Sequence, residues 1–288
     1  MPFRIGFHVS IAGGIQNSVS NAQKLGCTAF QIFTRNPRGW IKKDLVDNDI
    51  GLFKSNLSHS AIEDDSIAVH MPYLPNLSGP DGEMYNKSLD SFGDELIRCS
   101  RLGIKYLVIH LGSHRGQGKE KGIEQLIKSC NSATDFFRSN YKKKIDVTVL
   151  LENSASQKNS LGGNLEELRE IFDKLQKNMY GMCLDTCHAF ASGYDLSSEK
   201  TCNNFIDEFD KIVDLRILKF IHLNDSKYEI GSHLDRHELV GLGKIGINGL
   251  KTIINNKATR DIPMVMEPHV ATIEEDAKNL KTVFKLRK

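Results

Sequence analysis

Six short apolar stretches of the 288-residue chain end in a side chain able to ligate a metal ion. They are "AVHM" with His70, "VIHLG" with His110, "LLEN" with Glu152, "CLDT" with Asp185, "FIHLND" with His222 and "VMEP" with Glu267. Any one of them alone reads as a hydrogen-bonded structural group or a solvated rim residue. Six at equivalent places differ, because gathering imidazoles and carboxylates without a compensating cation carries a large electrostatic cost. A bound cation removes that cost.

Two further groups extend the set. In "CLDTCHAF", strand alternation puts Cys183 and Asp185 on one face, with His188 beyond the strand end. Asp185 and His188 can both face a common site, and they are expected to serve different ions. Cys183 and Cys187 lack the paired spacing of a zinc-thiolate site and read as small packed hydrophobes. In "DRH", Asp235 and His237 lie on one side of an extended segment, a two-ligand clip that completes a two-His, one-carboxylate set with His188. One metal takes about four protein ligands, so nine candidates fit three ions. Imidazole and carboxylate without thiolate suit zinc first, with manganese or iron admissible at some positions.

These residues must be carried by elements that bring them together. The apolar runs "FRIGFHVS", "AFQIFT", "SIAVHM", "YLVIHLG", "VTVLLEN", "YGMCLDT", "LKFIHLND" and "PMVMEP" read as strands, separated by amphipathic stretches of helical length such as "NKSLDSFGDELIRCSRLG" and "NLEELREIFDKLQK". Continuous apolar runs with helices between them suit a parallel sheet covered on both sides. Eight alternations over residues 1–288 predict one (β/α)8 TIM barrel, an α/β fold whose C-terminal strand ends converge on a single mouth. A doubly wound open sheet is the rival, and no Gly-x-Gly-x-x-Gly follows the first strand to support it.

Composition neither announces nor excludes a nucleic-acid partner: 38 Lys and Arg nearly balance 36 Asp and Glu, for a net of +2. No apolar stretch approaches the roughly 18–20 residues that span a bilayer, and "MPFRIGFHVS" holds no signal-peptide core, so a soluble, unexported protein is expected. The six cysteines are scattered, which predicts free thiols.

The stretches "GFHVSIAGG", "CLDTCHAFASGYD" and "HLNDSKYEIGSHLDRHELVGLGKIG" closely resemble the endonuclease IV family of apurinic/apyrimidinic endonucleases, along essentially the full chain. The resemblance implies a TIM barrel with three Zn2+ that cleaves double-stranded DNA 5′ to abasic sites. It implies that His70, His110 and Glu152 hold one zinc, that Glu152 bridges to a second held by Asp185, His222 and Glu267, and that His188, Asp235 and His237 hold the third. Glu152 is accordingly the catalytic candidate. The loops "RNPRGW" and "MPYLPNL" match the family's DNA-penetrating loops, which nominates Arg38, Tyr73 and Leu74 as DNA-binding residues. A monomer is implied, in the cytoplasm of a prokaryote or the nucleus or mitochondrion of a eukaryote. Removal of 3′ blocking groups is a further implied activity. The chain departs from the family pattern at "PHV" after Glu267, and at Ser156 and Lys158, where the family often has Gly. A sugar isomerase or epimerase on the same barrel is the alternative, using Glu152, Asp185, His222 and Glu267 around one or two ions.

Overall fold

The computed structural model describes residues 3–141, 146–267 and 272–288. Eight parallel strands close into a barrel: β1 (Ile5–His8), β2 (Ala29–Ile32), β3 (Ile67–His70), β4 (Tyr106–His110), β5 (Thr148–Glu152), β6 (Tyr180–Asp185), β7 (Leu218–His222) and β10 (Met264–Met266), with β10 seated between β7 and β1. Every barrel strand falls within an apolar run expected to be one. Outside the barrel, β8 (Asp225–Ser226) and β9 (His237–Glu238) pair as a two-stranded antiparallel ribbon.

Alternation along the strands decides what enters the barrel. Ala68, Val108, Leu150, Cys183, Phe220 and Val265 form the interior cluster together with Tyr106. Two residues on, each of these strands reaches a polar side chain: His70, His110, Glu152, Asp185, His222 and Glu267. The period of two therefore stacks a ring of donors directly above an apolar plug. Cross-strand register aligns that ring, with His110 opposite Glu152 and Asp185 opposite His222. The alternate residues of the same strands, such as Ile67, Val69, Leu107 and Leu151, face the helices and join the larger core between barrel and helical ring.

The helices are α1 (Asn17–Leu25), α2 (Asp47–Ser58), α3 (Glu83–Leu102), α4 (Lys119–Asn140), α5 (Leu165–Asp173), α6 (Thr186–Ser192), α7 (Glu199–Ile212), α8 (Gly246–Asn255) and α9 (Ile273–Leu286). Their ends follow local rules. Asn164 caps α5 through the N–H of Glu167, and Ser198 with Thr201 closes a capping box on α7. Gly103 ends α3 at φ 76°, a left-handed value that glycine adopts without a Cβ penalty. Helix α3 begins three residues before the expected "NKSLDS", because the Gly82 turn already releases the chain into helix at Glu83. Among the described residues, no helix is long and apolar enough to cross a membrane.

Candidate metal centre

Strand ends bring the first donors together. His70 Nε2 and His110 Nε2 each lie 3.2 Å from Glu152 Oε2. The other oxygen of the same carboxylate, Oε1, lies 3.1 Å from His222 Nδ1. His222 Nδ1 is also 3.2 Å from Glu267 Oε2 and 3.7 Å from Asp185 Oδ2. Glu152 thus offers one oxygen to each of two neighbouring groups, the geometry of a bridging carboxylate.

The third group is built from a helix start and a loop. Asp185 ends β6 and N-caps α6, its Oδ1 accepting from the N–H of His188 at 2.8 Å. That cap turns His188 back over the mouth. Asp235 Oδ1 meets it, 3.2 Å from His188 Nε2 and 3.2 Å from His237 Nε2. Asp185 Oδ2 also reaches to 3.5 Å of His237 Nε2. The donor atoms of Asp185, His188 and His237 lie within 4.8 Å of one another. With Oδ1 taken by the cap, Asp185 Oδ2 sits between His222 and His237, within reach of either neighbour. All nine sequence-derived donors meet at one mouth.

Hydrogen bonds at the far side of each ring fix which nitrogen points inward. The Nδ1–H groups of His70, His188 and His237 donate to the carbonyls of Met71 (2.6 Å), Asn153 (2.8 Å) and Glu267 (3.0 Å), and His222 Nε2–H donates to Gln31 Oε1 at 3.0 Å. A carbonyl only accepts, so these nitrogens carry protons, and the inward nitrogens are the ones that can give up a proton and ligate a cation. Imidazole nitrogens aimed at carboxylates share either a proton or a metal cation with them. A shared proton would draw nitrogen and oxygen to about 2.7–2.9 Å. Two ligands of a tetrahedral zinc at about 2.0–2.2 Å stand about 3.3–3.6 Å apart. The spacings here, 3.1 to 3.7 Å, run from just above the first range through the second. The buried His188 Nε2, which has no hydrogen-bond partner among the described residues, points the same way. The donor set therefore fits zinc.

Electrostatics agree with the geometry. Burial presses hard on every group, raising carboxyls and lowering imidazoles, and opposite charges overcome it. Against its burial, Glu152 is held well below the usual carboxylate range by His222 and His110. Asp235 is held below its range by His188 and His237. Burial works against His188 too, yet Asp185 and Asp235 raise it well above an ordinary imidazole, and Asp185 with Asp235 raises His237 to about 9. The carboxylates are set to retain positive charge. The thiols are set the other way: burial pushes Cys183 up to about 12, and all six cysteines are free and buried, as the absence of paired spacing led one to expect.

Four residues of the centre went unremarked in the sequence. His8 and Gln31 end the polar ring on β1 and β2; Gln31 Nε2 donates to Glu267 Oε1 at 2.7 Å. Asn224 Nδ2 donates to Asp185 Oδ2 at 2.7 Å, and Asn153 exchanges bonds with the Asp185 backbone at 2.7 and 3.0 Å. His8 and Gln31 were findable, since each stands at the mouth end of its strand like the six donors below which the chain alternates.

The two nominated loops border the centre. Arg38 and Tyr73 line the mouth cavity of about 420 Å³ with His70, His110, Glu152 and Glu267. Tyr73 and Leu74 line an adjoining cavity of about 280 Å³. Tyr73 is 53% and Leu74 39% exposed. The Tyr73 ring packs edge-on against Phe33 at 5.1 Å, and its N–H donates to the Pro37 carbonyl at 3.1 Å, so one loop braces the other. Ser156 takes φ 54°, the left-handed region, at a place where glycine would be unstrained. The "PHV" departure, at 268–270, lies outside the described residues.

Comparison with known proteins adds the following. Residues 19–283 match the family described as xylose isomerase-like TIM barrel. A protein named "Probable endonuclease 4" from Cenarchaeum symbiosum (strain A) is 50% identical over 279 residues, covering 96% of this chain and 97% of its own. Another of that name, from Nitrosopumilus maritimus (strain SCM1), is 47% identical, covering 96% and 98%. Among solved structures, endonuclease IV from Thermus thermophilus superposes with a TM-score of 0.86 at 33% identity, covering 98% of each chain. A D-tagatose 3-epimerase-like protein superposes at 0.73 with 16% identity, a likeness of fold alone.

Proposed function

The chain belongs to the endonuclease IV family, and from that premise we propose that it is a DNA-repair endonuclease that hydrolyses the phosphodiester 5′ to an abasic site in double-stranded DNA. The observation that supports this most is the convergence of nine nitrogen and oxygen donors at metal-ligand spacing beneath two exposed loops. His70, His110 and Glu152 would hold one zinc, Glu152, Asp185, His222 and Glu267 a second, and His188, Asp235 and His237 a third. When bound at such a donor set, zinc lowers the pKa of water and neutralises charge on phosphate oxygens.

The chain's own residues prepare the rest. Glu152 keeps two groups at a fixed distance by spending one oxygen on each. The backbone carbonyls of Met71, Asn153 and Glu267 hold three imidazoles in the tautomer whose lone pair faces the mouth. In the net reaction water adds to phosphorus, the bond to the 3′ oxygen breaks, and the proton ends on that oxygen. The products are a 3′-hydroxyl and a 5′-deoxyribose phosphate. Removal of 3′ blocking groups would use the same centre.

Arg38, Tyr73 and Leu74 supply lesion selection. Extruding a nucleotide costs a few kcal/mol, least where stacking and pairing are already lost. Side chains that enter the vacated stack recover contact area there and kink the duplex. Near-neutral net charge is no obstacle, since bound cations would place positive charge where the phosphate sits.

Incision of one synthetic abasic duplex, before and after chelation and after zinc is returned, tests this reading. Cleavage that chelation abolishes and zinc restores is the expected result. A single ion per chain, turnover of a ketose and no incision would instead support a sugar epimerase using Glu152, Asp185, His222 and Glu267, with the other five donors idle.

A further inference from the structure

Asp225 is fully buried in the connection after β7 and is not one of the nine candidate ligands. Its carboxylate is a knot of backbone bonds. Oδ1 accepts from the N–H groups of Ser226 (2.8 Å), Ile245 (3.0 Å) and Gly246 (3.2 Å), and Oδ2 from those of Gly241 (2.9 Å) and Gly243 (3.1 Å). One carboxylate therefore grips both ends of the segment 226–246. Within that segment lie Asp235 and His237.

The grip and the register act together. Asp225 also begins the β8–β9 ribbon, in which it pairs with Glu238 and sets Ser226 opposite His237. The Ser226 carbonyl takes the N–H of Lys244 at 2.7 Å, and Lys227 N–H donates to the Arg236 carbonyl at 2.9 Å, which ties the strand around the clip. Gly243 fits so closely that a Cβ there would meet Asp225 Oδ1 at 2.5 Å and collide with the Ser226 carbonyl. By contrast, His188 stands on α6, and the donors of the other two groups stand on barrel strand ends or the residue after one.

We infer that Asp225 is a positioning residue for the third metal group: by tying the base of the loop it sets Asp235 and His237 against His188. The inference rests on the three-metal reading of the centre. Its consequence is selective. Loosening the knot detaches two ligands of one group and leaves the strand-borne ligands of the other two where they are. Groups that orient a ligand indirectly typically change metal affinity by about 10–100-fold.

The test is zinc binding to the full chain carrying Asp225→Asn or, separately, Gly243→Ala, dialysed against buffered free zinc and counted, with incision of an abasic duplex assayed in parallel. Expected is the loss of one equivalent through a weakening of about 10–100-fold, two equivalents retained, and incision restored by excess zinc. A role in general folding would not produce that rescue. Three equivalents at unchanged affinity in both variants, or loss of all three with collapse of the circular dichroism spectrum in both, would overturn the inference. Failure of the underlying reading looks different: the unaltered protein would itself bind fewer than three, or His188→Ala would lose none.

Discussion

Replacing Tyr73 and Leu74 together by alanine separates lesion recognition from metal binding. A tyrosine side chain offers about 150–250 Å², and with Tyr73 53% exposed roughly 100 Å² is open to cover by DNA. At about 25 cal/mol per Å², covering it contributes about 2.5 kcal/mol. The 39% of Leu74 that is exposed adds about 1 kcal/mol, scaling the roughly 1.5–3 kcal/mol of a full leucine. Both are upper bounds, and base–aromatic stacking measured by alanine substitution falls at about 1–3 kcal/mol. The double variant should therefore bind an abasic duplex about 30- to 150-fold more weakly, a loss of about 2–3 kcal/mol at 1.4 kcal/mol per decade. Fluorescence anisotropy on abasic and intact duplexes of one sequence reads this, with zinc counted on the same preparations. Binding to intact duplex and zinc content should not move. An equal loss on both duplexes, or a drop in zinc, would show that the two residues serve as scaffold for His70 and His110, whose rings lie 6.0 and 6.3 Å from Tyr73.

Three other outcomes follow from named contacts. His188→Ala or His237→Ala should each remove one zinc equivalent and reduce incision at least ~100-fold while abasic-duplex binding falls little, as metal analysis and nicking assays will record. Glu95→Gln should destabilise the protein by about 1–3 kcal/mol in denaturant unfolding: burial raises the Glu95 carboxyl against the pull of Arg35, so the loss is that of a partner oxygen 2.8 Å from a buried guanidinium rather than of a fully charged pair. The same variant should loosen the loop that carries Arg38 and raise KM more than it lowers kcat. Ser156→Ala should be less stable than Ser156→Gly by about 1 kcal/mol: both give up the Ser156 Oγ–H bond to the Gly163 carbonyl, and only glycine relieves the left-handed strain.

Much of the centre was legible because strands read with period two. Val108 and His110, Leu150 and Glu152, Phe220 and His222 each place an apolar plug residue and a donor on one face, and apolar runs of this kind mark barrel strands unaided. The Asp235-x-His237 clip was legible for the same reason. What spacing did not carry was allegiance. Which neighbours Asp185 can reach depends on one oxygen being taken by the α6 cap, a fact of helix geometry rather than of sequence distance. His8 and Gln31 also complete the ring, on strands where the residue two positions earlier is Gly6 or Ala29 rather than a bulky plug residue. Asn153 and Asn224 act through hydrogen bonds to residues more than 30 positions away, where no periodicity reports. The hold of Asp225 on its loop is likewise made by backbone N–H groups, which any sequence possesses.

Anomalous diffraction at the zinc edge, from crystals of the protein purified with its own metal, reaches the central claim most directly. The account predicts three peaks at the barrel mouth, one of them within about 2.0–2.2 Å of His188 Nε2, His237 Nε2 and an Asp235 oxygen. One peak confined to Glu152, Asp185, His222 and Glu267, with Asp235 and His237 bare, would contradict it.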